Sequence, residues 1–146
     1  MAFTKEAAKW VMATLTDVDR VSLVGYGSNA YKFSTTLVKP GKISRRQMSM
    51  WIDNLAPLGR TNMAAAFTAA FEIFGSTSSG SATTGCSKIL LFLTDGENSG
   101  VDPKPIINQH NSGPYVISSP LLLFPSMLAS SWKGHCWQPS RARSRK

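Results

Sequence analysis

Two side chains with hard oxygen donors stand where an α/β protein would place a ligand. Asp95 directly follows the apolar run 88–93, and Thr61 follows a loop that contains Gly59. Ligands of open α/β sheets bind at the carboxyl ends of the strands, so both side chains can contribute to one site. Carboxylate and hydroxyl oxygens suit Mg²⁺ or Ca²⁺. Each residue also has a purely structural interpretation: Asp95 as a turn residue before Gly96, and Thr61, together with Asn62, as the cap of a helix.

Three segments have the apolar spacing of amphipathic helices. This spacing predicts helices over residues 4–16, 44–55 and 62–74. Ser44 and Gln47 have the separation of a capping box. The second helix is therefore expected to start at its capping serine.

Three further segments have the composition of strands. Residues 20–26 and 88–93 are short and mainly apolar, which is typical of buried strands. Residues 30–37 alternate between apolar and polar side chains, which indicates an edge strand paired antiparallel with the first. With the helices, the pattern predicts an α/β fold: an open, mostly parallel sheet with one antiparallel edge strand and flanking helices.

The composition changes near residue 100. The length of 146 residues suits one domain. Residues 1–100 carry ten Lys/Arg and seven Asp/Glu, whereas residues 101–146 carry six and one, together with six of the eight prolines. We therefore expect a domain over residues 1–100 and a Pro-rich basic tail over 101–146, with no helix longer than about two turns. Residues 121–124 could form a short strand at most.

Several functional classes find no support in the sequence. The basic tail has no aromatic platform or nucleic-acid motif beside it, so we predict no nucleic-acid partner. No apolar run approaches the roughly 20 residues of a membrane-spanning helix. The remaining metal-ligand types are two histidines and two cysteines without metal-site spacing: His110, His135, Cys86 and Cys136.

An enzyme on a doubly wound sheet is a further alternative. The stretch 25–30 has spaced glycines after a strand, but it leads into a second strand and not into a helix, unlike a dinucleotide loop. The sequence has no phosphate-loop motif and no G-x-S-x-G nucleophile elbow. We therefore predict that the chain is not an enzyme.

Three stretches together resemble a known family. Residues 15–21, 51–63 and 86–96 have the order and spacing of the von Willebrand factor type A (VWA) domain, and the likeness covers about residues 3–100. Within the family, the sequence is most similar to the domain of calcium-channel α2δ subunits. The resemblance implies a Rossmann-like fold and a binding or adhesion function.

The resemblance also implies a metal-ion-dependent adhesion site. In the family, a D-x-S-x-S loop supplies an Asp and two Ser, a second loop supplies a Thr, and a third supplies an Asp; Thr61 and Asp95 match the last two. The D-x-S-x-S loop is absent from the sequence and is expected before Met1. Ser28 and Ser34 do not replace it, because both belong to the hairpin. The intact family domain would bind Mg²⁺ or Ca²⁺, whereas we expect this chain to bind neither.

The same resemblance predicts an incomplete domain. The family's sheet order resembles 3-2-1-4-5-6, which places a strand missing from this sequence between the strands of residues 21–26 and 88–93. The last third of the domain is also expected to be missing, because the tail from residue 101 does not resemble the family.

The function that these expectations favour is a protein-binding module. The chain would be a fragment of a larger, extracellular or membrane-anchored protein, and its ligand would be a protein whose acidic side chain completes the shell of the cation. Two alternatives stay open: an intracellular VWA domain in protein-complex assembly, as in chelatases and copines, and a non-functional truncated gene product.

Overall fold

A computed structural model of the chain describes residues 2–56, 59–78, 89–94, 98–111 and 122–123. Four helices and four short strands occur in these residues. In chain order they are α1 (Ala2–Thr14), β1 (Val24–Tyr26), β2 (Ala30–Lys32), α2 (Lys42–Asn54), α3 (Met63–Ser78), β3 (Leu93–Thr94), α4 (Lys104–Asn111) and β4 (Leu122–Leu123).

The described strands form two pairs. β1 and β2 make the predicted antiparallel hairpin, with Val24 opposite Lys32, and a bridge between Val21 and Val38 extends it. β3 pairs in parallel with β4, with Leu93 opposite Leu122. A hairpin and a parallel pair with flanking helices confirm the predicted α/β fold class.

The alternation of side chains along residues 23–26 places a helical layer on each face of the hairpin. Leu23 packs with Ala8 and Met12 of α1 and with Met48 and Ile52 of α2. Successive residues of a strand face opposite sides, so Val24 and Tyr26 pack against α3 on the other face. The residues of that second layer are Val24, Tyr26, Ala66, Phe67, Ala69, Ala70 and Ile73. The hairpin is therefore covered on both sides, as in a doubly wound sheet.

α1 and α2 lie antiparallel, and hydrogen bonds join both of their ends. Lys5 near the start of α1 donates to the carbonyl of Asp53 near the end of α2 (2.7 Å). At the other end, the guanidinium of Arg45 donates to the carbonyls of Met12 and Leu15. These carbonyls lie in and just after the last turn of α1, where backbone acceptors have no partner within the helix.

Stacked aromatic rings fill the layer beneath α3. Phe92 lies between Tyr26 and Phe67, with ring centroids 5.1 Å and 4.7 Å away. Further along α3, His110 of α4 stacks on Phe71 at 4.1 Å. Residues 89–94 and α4 therefore both pack on the helix that begins beside Thr61.

The strands are shorter than predicted. Residues 20–26 contribute only β1, residues 30–37 only β2, and within 89–93 only Leu93 belongs to a strand; residue 88 lies outside the described part. Apolar composition reports burial, and residues 21–27 are indeed buried. A residue is assigned to a strand only if its backbone also forms hydrogen bonds with a neighbouring strand, and composition does not predict this pairing.

The prediction of a capping box that starts at Ser44 is wrong. α2 starts at Lys42, and its N-cap is Gly41, without a side-chain cap. The Ser44 hydroxyl donates to the carbonyls of Lys39 (2.5 Å) and Gly41 (3.1 Å) instead. A serine within the first turn can reach back to these preceding carbonyls, so its hydroxyl acts as a donor and not as a cap acceptor.

α4 forms in the segment where the prolines were expected to allow no helix longer than about two turns. Pro105 is its second residue, where a missing N–H costs little because first-turn amides have no partner within the helix. Asp102 accepts a hydrogen bond from the backbone of Lys104 (3.0 Å). Ile106 and Ile107 pack against the α3 cluster. The prolines therefore permit eight helical residues, slightly more than two turns.

Among the helices of the described ranges, none has both the length and the apolar content required to cross a bilayer.

Candidate functional site

Thr61 is not the cap of α3. The N-cap is the next residue, Asn62, whose side-chain oxygen accepts a hydrogen bond from the backbone of Ala65 (3.1 Å). The backbone N–H of Thr61 donates instead to the Ser99 hydroxyl (2.8 Å). Of the two residues that the sequence indicated as the cap, Asn62 therefore has the capping role and Thr61 does not.

The loop that precedes α4 holds Thr61 from one side. Ser99 donates its backbone N–H to the Thr61 carbonyl (2.9 Å), and the Ser99 hydroxyl also contacts that carbonyl (3.3 Å). The side-chain oxygen of Asn98 accepts from the backbone of Met63 (3.3 Å). Both backbone polar groups of Thr61 are thus paired with a single residue, Ser99.

The turn of the β1–β2 hairpin holds the same loop from the other side. Gly27 accepts a hydrogen bond at its carbonyl from the backbone of Asn62 (2.8 Å). The Ser28 hydroxyl accepts from the backbone of Arg60 (3.1 Å), and the Ser28 carbonyl accepts from the side chain of Asn62 (3.4 Å). Ser28 occurs on the hairpin, as predicted, but sequence reasoning missed that the turn reaches the loop of Thr61.

Two glycines allow these loops to approach each other closely. Gly59 has φ +80°, and a Cβ there would lie 2.8 Å from the Ser28 hydroxyl oxygen. A Cβ on Gly100 would lie 2.9 Å from the side chain of Asn62. Real Cβ atoms do not approach so closely without a shift of their neighbours. We call the three joined segments, residues 27–29, 59–62 and 98–100, the rim.

The hydroxyl of Thr61 takes no part in the hydrogen bonds that join the segments of the rim. The backbone of Thr61 is bonded on both sides, yet its side-chain oxygen has no hydrogen-bond partner among the residues that the structure describes. The residue is partly exposed. A fixed backbone with an accessible hydroxyl fits the role of a ligand-contacting side chain.

The position of Asp95 lies outside the described residues, so its approach to Thr61 stays a prediction. Its described neighbours are Thr94, which ends β3 and is buried, and Asn98, which bonds to the start of α3. The described part of the chain contains no group of three His, Cys, Asp or Glu side chains that could hold a metal ion.

Comparison with known proteins identifies the family. The model of the von Willebrand factor type A domain matches residues 1–118. The chain belongs to the VWA family. The match runs past the boundary that we expected near residue 100 and includes α4. VWA domains are in general protein-interaction modules.

Solved structures show the same fold. A von Willebrand factor type A protein from Catenulispora acidiphila matches 80% of this chain with a TM-score of 0.64 and 24% sequence identity. This VWA chain corresponds to 27% of the length of that protein. At this identity the likeness supports the fold alone. No curated protein matches the sequence.

Proposed function

We propose that this VWA chain is a protein-binding module whose recognition surface is the rim around Thr61. The observation that carries the proposal is the pairing of both Thr61 backbone groups with Ser99 while the Thr61 hydroxyl has no partner among the described residues. Rigid placement of a contacting side chain reduces the entropy that a binding site loses when the ligand arrives.

The ligand chemistry that we propose is an acidic side chain of a partner protein, bound through a divalent cation. Thr61 and Asp95 would supply one hydroxyl and one carboxylate to Mg²⁺ or Ca²⁺. A cation held mainly by neutral donors keeps net positive charge and attracts a carboxylate. These two donors do not fit a complete site, however, because the sequence contains no D-x-S-x-S loop. We therefore propose that the cation site is incomplete in this chain.

The experiment that tests this proposal adds the Asp and Ser oxygen donors of the D-x-S-x-S loop. For this purpose the full chain is given an N-terminal strand that ends in D-x-S-x-S, and we call this protein the extended chain. Mn²⁺ titrated calorimetrically into the extended chain should bind at one site, and Thr61→Ala or Asp95→Ala should weaken that binding. Thr68→Ala is the matched control, because Thr68 lies on α3 and its hydroxyl donates to the carbonyl of Ala64 (2.9 Å) within its own helix. Absence of Mn²⁺ binding by the extended chain would refute the cation site.

The parent protein that we propose is extracellular or membrane-anchored and similar to the α2δ subunits of calcium channels. The support is the similarity of residues 15–21, 51–63 and 86–96 to that branch of the family. The chain would then be a fragment of that protein. Sequencing of the transcript on both sides of this reading frame tests the proposal, since an upstream signal peptide and D-x-S-x-S loop are expected. An upstream ATPase or lipid-binding domain would favour intracellular assembly instead.

A further inference from the structure

We infer that the outer face of α1 binds the same face of a second copy of this chain. The residues that form this surface are Phe3, Ala7 and Trp10, and we call them the α1 face. The two α1 helices lie antiparallel in the pair, so that Phe3 of each protomer packs on Trp10 of its partner. This contact is independent of the rim and of the proposed cation site. Because VWA domains are protein-interaction modules, the pair binds a partner that has two sites more tightly than one copy does.

The first argument is the exposure of two aromatic side chains on one side of α1. Phe3 is 89% exposed and Trp10 is 74% exposed. They are seven residues apart, close to two helical turns, so they lie on the same side of α1 and about 10 Å from each other, with Ala7 between them. Grouped apolar side chains at a surface mark contact sites, and aromatic residues are enriched in protein interfaces. The α1 face therefore has the composition of an interface.

The second argument is that the described fold uses the other sides of α1. Thr4 and Ala8 are buried on the core side. Lys5 and Lys9 lie on the side of α2, where both contact Asp53. From the turn of an α-helix, each of these two pairs lies roughly 130° around the helix axis from the two aromatic residues. The α1 face therefore points away from both the core and α2.

The charge of this surface indicates a second copy as the partner. Of the three charged residues of α1, only Glu6 borders the α1 face, because Lys5 and Lys9 lie towards α2. The Glu6 carboxylate lies 3.7 Å from the ammonium of Lys9 in the same helix, so its charge is balanced within the protomer. The α1 face therefore has no unbalanced charge that would select an acidic or a basic partner. Two such faces can meet without bringing uncompensated like charges together.

The spacing and area of the α1 face also fit a symmetric pair. Ala7 lies almost midway between Phe3 and Trp10, so a twofold axis beside Ala7 places each Phe3 opposite a Trp10 of the partner. The short side chain of Ala7 allows the two helices to approach closely. At their observed exposures, Phe3 and Trp10 of two copies together would bury about 700 Å². Neighbouring exposed residues bring this close to the roughly 1,000 Å² of the smallest specific interfaces, so we expect a weak, reversible dimer.

Sedimentation equilibrium of the full chain, from micromolar to millimolar concentration, measures the association. The wild type should show a reversible equilibrium between monomer and dimer. Trp10→Ala and Phe3→Ala should each weaken dimerisation at least about tenfold, because a few aromatic residues at the centre of an interface provide most of its affinity. Ile43→Ala is the matched control, since Ile43 is an apolar side chain of α2 that is 77% exposed, and it should retain the wild-type dissociation constant.

A cysteine cross-link tests the antiparallel arrangement. The twofold axis beside Ala7 brings residue 6 of the two protomers together, so oxidised Glu6→Cys should yield a disulfide between the two copies of residue 6, identified by mass spectrometry of proteolytic peptides. Lys42→Cys, at the start of α2, should yield no disulfide between its two copies. A wild type that stays monomeric over the whole range would refute the inference, since the α1 face would then be free or bound by something else. A dimer that Trp10→Ala and Phe3→Ala leave intact, or that Ile43→Ala weakens equally, would refute it as well.

Discussion

The phenol hydroxyl of Tyr26 donates a hydrogen bond of 2.7 Å to the backbone carbonyl of Leu93, 67 residues further along the chain. Tyr26 belongs to β1 and Leu93 to β3, and these strands lie in separate two-stranded sheets of the described structure. The Tyr26 ring also stacks on Phe92. One buried side chain thus connects the hairpin to β3, in the region where the family resemblance implies an additional strand.

Tyr26→Phe should destabilise the protein by about 1–3 kcal/mol. The substitution keeps the stacked ring but leaves a hydrogen bond to the Leu93 carbonyl unmade in a buried environment. The free energy of unfolding from urea denaturation measures the effect. Tyr31→Phe is the matched control, since Tyr31 is exposed on β2, and it should have an effect near zero. Equal losses in the two variants would contradict the importance of the Tyr26–Leu93 bond.

Arg45 joins the C-terminal end of α1 to α2 and the preceding loop. Its guanidinium donates to the carbonyls of Met12, Leu15 and Pro40. Arg45→Ala should cost about 2–4 kcal/mol, because charged hydrogen bonds contribute more than neutral ones and several acceptors lose their donor. Thermal unfolding of Arg45→Ala beside that of Arg46→Ala, an exposed neighbour on α2, measures the difference. Similar unfolding midpoints for the two variants would contradict this role.

The sequence predicted the layers of the fold better than the ends of its elements. Helical spacing identified α1, α2 and α3, and the alternation after residue 30 predicted the hairpin. The predicted ends of the strands were wrong because the runs at 20–26 and 88–93 are apolar as a result of their burial. Burial does not depend on how many of these residues are paired with a neighbouring strand. α4, with eight residues, is close to the limit of about two turns that the prolines were expected to set, and Pro105 is compatible with it because it occupies the first turn.

At the candidate site, the sequence identified Thr61 but not the residues that hold it. A Thr before an apolar helical stripe is visible in one stretch of sequence, together with the family spacing to Asp95. Ser28 and Ser99 are 33 and 38 positions away from Thr61, and only the fold brings them to the same loop. The glycine at position 59 is the local sequence signal that could have indicated a close approach at this loop, since glycine readily adopts the positive φ that the structure shows there.

The ion pair between Lys9 and Asp53 should make a small, pH-dependent contribution to stability. The Lys9 ammonium lies 2.6 Å from the Asp53 carboxylate, whose hydrogen bond raises the pKa of Lys9 above its usual 10.5. A raised pKa means that the contribution is complete below 10.5 and is lost as the pH rises through the folded-state pKa. The difference in unfolding midpoint between wild type and Lys9→Met should therefore be present at pH 8 and shrink in strongly alkaline buffer. The same comparison with Lys42→Met, an exposed lysine that forms no ion pair with the residues that the structure describes, should show no such trend.

The chain by itself should show no specific binding of Mg²⁺, Mn²⁺ or Ca²⁺ at sub-millimolar concentration. A complete site surrounds its cation with about six oxygen ligands, several of them from the protein, whereas only Thr61 and Asp95 match ligand positions in this sequence. A single carboxylate in contact with solvent gains little from a divalent ion, because both are well hydrated and salt screens their attraction. Isothermal titration of each ion into the purified, folded full chain measures this. Saturable one-site binding that Asp95→Ala abolishes would show that the residues present are sufficient, and the proposal of an incomplete site would then be wrong.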